Sequence, residues 1–140
     1  MADVIYNAFK KNIANGTIDL DTDTVKVMLV TSGYAPDQDL HEFKSSVTNE
    51  VSGTGYTAGG AAPANKAVTQ DNTNNRMVFD ADDVTWANSA ITARGAVLYK
   101  DTGVDGTSPL IAYMDFGSDK SSNSGNFTIQ WNAAGIVNLN

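Results

Sequence analysis

Three groups of side chains in this sequence have the types that chemistry uses. They are the acidic run Asp19-Leu20-Asp21-Thr22-Asp23, the glycine-rich stretch Gly53-Thr54-Gly55-Tyr56-Thr57-Ala58, and a single histidine, His41. The acidic run opens like a calcium loop. A helix–loop–helix calcium site needs Gly at its sixth position and a bidentate Glu at its twelfth. Those positions are Thr24 and Val30, so the run reads as a solvated acidic turn before a strand. Asp80, Asp82 and Asp83 take the same reading, as turn and strand-edge residues. Only a looser surface Ca²⁺ site is left open near either group, and no metal ligand is assigned.

The glycine stretch matches the dinucleotide pattern G-x-G-x-x-G/A in form. That chemistry needs a helix N-terminus directly after the glycines to receive a pyrophosphate. Gly59, Gly60 and Pro63 follow at once and oppose a helix, and the lysine of a phosphate-binding loop is missing. No cofactor site is assigned. His41 alone cannot supply a multi-histidine zinc site, and no G-x-S-x-G turn accompanies it, so it is expected as an exposed loop or helix residue. Carboxylate pairs abound in an acidic chain, but nothing singles out two of them for glycoside cleavage. No catalytic residue is assigned, and the chain is read as not an enzyme. Trp86, Tyr99, Tyr113, Phe116, Phe127 and Trp131 alternate with other apolar residues and are expected in the core rather than on a binding platform.

The elements that must position these residues are mostly strands. Val4, Ile5, Ala8, Phe9 and Ile13 fall on one helical face, which predicts an N-terminal amphipathic helix within residues 1–16. Asp3 is placed at its start and Asn15-Gly16 at its stop. Val25–Val30 is β-branched and apolar on nearly both faces, as in a central strand. Residues 32–39 read as a loop, and Leu40 to Val47 as a short helix capped by Asp39. The chain is turn-rich from Asn49 to Asn75. Strands then follow at Met77–Phe79, Val84–Trp86, Ile91–Tyr99, Leu110–Phe116, Phe127–Trp131 and Ile136–Leu139. Short strands separated by turn chemistry predict a mainly β protein: an antiparallel β-sandwich or jelly-roll-like domain. No repeat, linker or boundary divides residues 1–140, so one domain is expected.

Composition sets the partners. Charged residues are 18% of the chain, and the formal net charge of −7 disfavours a phosphate backbone or an anionic membrane surface, so neither is expected. No cysteine is present, which removes disulfides and thiolate metal sites. No apolar run approaches the roughly 18 residues that span a bilayer. Met1-Ala2-Asp3-Val4 lacks the basic-then-apolar layout of a secretory signal, and use without secretion is expected.

Several phrases in order carry a family resemblance. They are Tyr6-Asn7-Ala8-Phe9-Lys10 leading to Asn15-Gly16-Thr17-Ile18-Asp19-Leu20-Asp21-Thr22-Asp23, then Val25-Lys26-Val27-Met28-Leu29-Val30-Thr31-Ser32 and His41-Glu42-Phe43. Further on come residues 49–60, Phe79-Asp80-Ala81-Asp82-Asp83-Val84-Thr85-Trp86, residues 93–100 and Phe127-Thr128-Ile129-Gln130-Trp131. Across nearly its whole length the chain resembles the small virion structural proteins of tailed bacteriophages. The resemblance implies a non-enzymatic particle component, and within that class a capsid decoration (cement) protein on the outer surface of the coat lattice. It implies the major capsid protein as partner, a homo-oligomer (dimer or trimer), and a place in the virion after assembly in the host bacterial cytoplasm. A neck or tail component, or a carbohydrate-binding module on a virion fibre, is the alternative.

Overall fold

The computed structural model describes residues 3–140. Nine strands, one α-helix and two single 3₁₀ turns are present among them. Strands hold 43% of the chain against 10% for helix, so the class is mainly β. In chain order the elements are β1 Val4–Ile5, α1 Asn7–Ala14, β2 Val25–Val30, β3 Ala67–Asp71 and β4 Arg76–Asp80. They continue with β5 Val84–Ser89, β6 Thr92–Lys100, β7 Leu110–Ser121, β8 Gly125–Ile129 and β9 Val137–Leu139. All strand pairs are antiparallel. They form a four-stranded sheet ordered β1-β7-β6-β2, a three-stranded sheet β3-β4-β9 and the pair β5-β8.

The arrangement is sandwich-like because the large sheet is apolar on both faces. Val25, Val27 and Leu29 of β2 with Ala96 and Leu98 of β6 meet Phe79 and Val137 of the second sheet and Val84, Trp86, Phe127 and Ile129 of the third. On the reverse face Met28, Val30, Val97, Tyr99, Leu110 and Tyr113 pack with Tyr6 and Tyr34. A strand buried on both faces has no room for polar alternation, which is why Val25–Val30 reads as a continuous apolar run.

Several expectations are corrected. The helix expected within residues 1–16 is confined to Asn7–Ala14, with Met1 and Ala2 outside the described residues. Val4 and Ile5 instead pair with Tyr113 and Ala112 of β7. Asp3 does not cap the helix; its carboxylate accepts the Asp115 N–H at 2.7 Å. At the other end Asn15 is the cap and Gly16 follows at φ 80°, as expected. Residues 40–47 do not form an α-helix. Asp37, not Asp39, accepts the turn amides of Asp39 and Leu40, Phe43 bridges to Pro109, and only Lys44–Ser46 makes a 3₁₀ turn. β2 is the last strand of its ladder rather than a central one. Its outer edge is nonetheless taken, by Ala61 against Val27 and by Val51 donating to the Leu29 carbonyl.

Candidate docking surfaces

Of the six aromatic side chains expected in the core, Trp86, Tyr99, Tyr113 and Phe127 are buried there, while Phe116 and Trp131 are only partly buried against it. Trp86 is 6% exposed and meets Phe127 edge-on with ring centroids 6.2 Å apart, and the Tyr56 ring lies tilted 5.9 Å from it. Tyr99 and Tyr113 are buried in the reverse core. Trp131 is half-buried, its Nε1–H donating to the Asp82 carbonyl and its backbone N–H to the Asp83 carboxylate. Asp82 and Asp83 therefore fasten the segment after β8. Asp82 also accepts the Asn65 amide, and Asp80 caps the Ala81 N–H.

The acidic turn is spent in the same way. Asp19 accepts the Asp21 and Thr22 amides, and Asp23 accepts the Asp19 N–H and pairs with Lys100 at 3.0 Å. Among the described residues no three His, Cys, Asp or Glu side chains converge on a common point. The glycine stretch is a strap on β2. The Leu29 N–H donates to the Tyr56 hydroxyl, and that hydroxyl and the Gly59 N–H both donate to Glu50. Gly60, at φ 80°, brings its Cα so close to β2 that a Cβ would sit 1.8 Å from the Val27 carbonyl oxygen. Close backbone packing is thus the use of these glycines.

His41 departs from the exposed position expected of it. It is half-buried, stacked on Tyr34 at 5.6 Å, and its Nδ1 accepts the Asp37 N–H at 3.2 Å. The Tyr34 hydroxyl lies 2.9 Å from the same nitrogen and 2.7 Å from the Tyr6 hydroxyl. The set joins the loop before residue 41 to the start of α1 as a structural clasp. Burial pushes the Tyr6 phenol well above its ordinary range, and Tyr34 in the same direction.

What the surface offers instead is open strand edge. β7 runs on past the two-residue β1, but its register with β6 shifts between Asp115 and Lys120, where Gly117 stands at φ 81° and gives its N–H to the Asp115 carboxylate, so only Lys120 and Ser121 rejoin the ladder with a far side that no strand among the described residues pairs. β8 leaves for the other sheet, where it pairs with β5 alone. Between them lies a slot of about 370 Å³ floored by Phe116, Phe127 and Ile129, with Lys120 and Gln130 at its sides. Phe116 and Phe127 are 6.2 Å apart. Most cations are held in ion pairs: Lys11–Glu42, Lys26–Asp101, Lys44–Asp105, Arg76–Asp71, Arg94–Asp115 and Lys100–Asp23. Lys120, in the slot, has no such partner among the described residues. A second open edge, on β3, is formed by Ala67–Asp71, a segment with no signal in the sequence because every residue but Asp71 is exposed.

Comparison with protein-family models, with curated proteins and with solved structures finds no match.

Proposed function

We propose that this chain is a non-enzymatic structural component of a tailed-phage virion, a capsid decoration protein that binds the outer face of the coat lattice and stabilises it. The observation that carries the docking part of this reading is the slot beside β7. The unpaired edge of β8 flanks an apolar floor, and an extended coat segment laid there gains main-chain hydrogen bonds from that edge and a pocket for alternate side chains. The uncommitted Lys120 suits an acidic residue on that segment. Assignment to a phage particle rests on the sequence resemblance. The Asp19–Asp23, Asp80–Asp83 and Gly53–Gly60 groups are engaged in turns, straps and ion pairs, which favours a role in assembly.

The test is co-sedimentation with undecorated heads. The purified chain should pellet with them at a saturating, fixed ratio and raise the temperature at which they rupture. Phe116→Glu, which places a charge on the slot floor, should weaken binding at least tenfold. Absence of binding at every salt concentration would sink the reading. Binding to tails but not heads would select the neck or tail alternative. The fibre-bound sugar module would need an exposed aromatic pair, of which Trp86 is buried and Trp131 half-buried.

A further inference from the structure

A second cleft, of about 430 Å³, lies at the end of β2, where Thr31, Glu50, Ser52, Thr92 and Ser122 are among its walls. Hydroxyl groups recur in it, and Glu50 is its one charged side chain. That carboxylate is fixed rather than free to swing. The Glu50 backbone bridges to Val30, and its Oε2 accepts both the Tyr56 hydroxyl and the Gly59 amide at 2.7 Å. Those two bonds use the acceptor capacity of Oε2. Oε1 accepts no hydrogen bond and is not buried. Among the described residues no cation pairs with Glu50, and none lines the cleft.

A carboxylate held in place with one oxygen open to a cleft calls for a cation, and the geometry selects its kind. An arginine fork pairs best with two carboxylate oxygens, and only one is open here. A calcium ion takes about six to eight oxygens, and a single carboxylate lines this cleft. An ammonium is a compact charge with three rotatable donors. Oε1 can take one of them. The hydroxyl oxygens of Thr31 and Ser52 have capacity for the others, since Thr31 accepts only the Gly33 amide and Ser52 makes no side-chain bond.

We infer that this cleft is a binding site for a primary ammonium group, delivered as the side chain of a lysine on a partner protein. One ion pair open to water is too weak to retain a free amine. A lysine carried by a partner that is already bound arrives at high effective concentration. The slot beside β7 offers such a carrier, because Ser121 lines the slot and Ser122 the cleft. A segment lying in one therefore borders the other, and it would bear an acidic residue for Lys120 and a lysine for Glu50. That carrier rests on the virion reading. The ammonium site itself stands on Glu50 and its cleft alone.

Nuclear magnetic resonance of the isolated chain tests the site without any particle. n-Butylammonium chloride, the end of a lysine side chain, should shift the Ser52 and Thr92 amides saturably. Tetramethylammonium chloride at equal ionic strength carries the charge without donors and should not. Glu50→Gln keeps an oxygen for the Tyr56 hydroxyl and the Gly59 amide but replaces the open oxygen with a donor, and should abolish the response. Ser52→Lys, at an exposed position, supplies an ammonium from the chain itself and should abolish it too. No saturable shift, an equal shift from tetramethylammonium or calcium chloride, or an unchanged response in Glu50→Gln would each overturn the site. On bound heads, a zero-length carbodiimide should join Glu50 to a coat lysine, and Glu50→Gln should weaken binding about fivefold. Bound heads that give no such cross-link, or n-butylammonium held as tightly as heads are, would overturn the lysine assignment. Heads that never bind the natural chain would remove the virion reading and leave the amide shifts to decide the site.

Discussion

At Gly60 a single absent carbon lets two stretches of backbone touch. The residue has φ 80° and its missing Cβ would overlap the Val27 carbonyl, whereas Gly16 shares the same φ with open space around it. Gly16→Ala should therefore cost only the left-handed conformation, about 1 kcal/mol. Gly60→Ala adds displacement of the β2 edge and should cost about 3 kcal/mol; urea unfolding of both variants measures the difference. Carboxylates set the acid limit. The Arg94 guanidinium, with the Gly117 amide, holds the Asp115 carboxyl below its ordinary range, and Lys26 with the Gly103 amide does the same for Asp101. A depressed folded value means the stabilisation is complete above the ordinary carboxyl value of about 4 and is lost as pH falls through the folded value. The urea midpoint should thus hold from pH 7 to 5 and fall below about pH 4. Asp101→Asn should lower the midpoint at pH 7 and flatten the acid limb.

Among the elements, the strap from Asn49 to Ala61 does for β2 what a neighbouring strand would otherwise do. Its hinge pin is the Tyr56 hydroxyl, which takes the Leu29 amide and gives to Glu50. Tyr56→Phe leaves both partners short and should destabilise by about 2 kcal/mol in thermal or urea unfolding. Amide exchange should rank the strands. β2 and β6 are covered on both faces and should exchange only with global unfolding, while β3, paired on one side and exposed, should exchange fastest.

For the whole molecule, the tyrosines report the fold's integrity. The sequence contains five, and all five are held above the ordinary phenol range, chiefly by burial. A raised folded value gives stability that is fully present below about pH 10 and is lost as pH climbs beyond it. Phenolate absorbance should therefore stay low in the native protein and appear in one step, together with loss of circular dichroism, when alkali unfolds it. A tyrosine that ionises separately and earlier would show that its part of the core opens on its own.

Periodicity and turn chemistry were enough to place most strands, because a buried strand must be apolar where it meets the core and its turns need Asn, Asp and Gly. Val25–Val30 was legible to the residue, and the class, mainly antiparallel β with one short N-terminal helix, followed. Beyond the helix expected over 40–47, the Asp3 cap and the exposure expected of His41, three features of the strand edges were not legible. Val4 and Ile5 fit a helical face as well as a strand, and only the free side of β7 at Tyr113 and Ala112 makes them pair. Ala67–Asp71 carries no alternation, since a strand exposed on both faces has nothing to alternate against. Phe116, Lys120 and Phe127 were visible as residues but not as a slot, because that depends on consecutive strands joining different sheets. The sequence by itself determined which segments extend and which apolar faces must be hidden, for those are local consequences of side-chain type. Tertiary structure alone decided which strand edges stay open, because an edge is open or closed only through what the rest of the chain brings beside it.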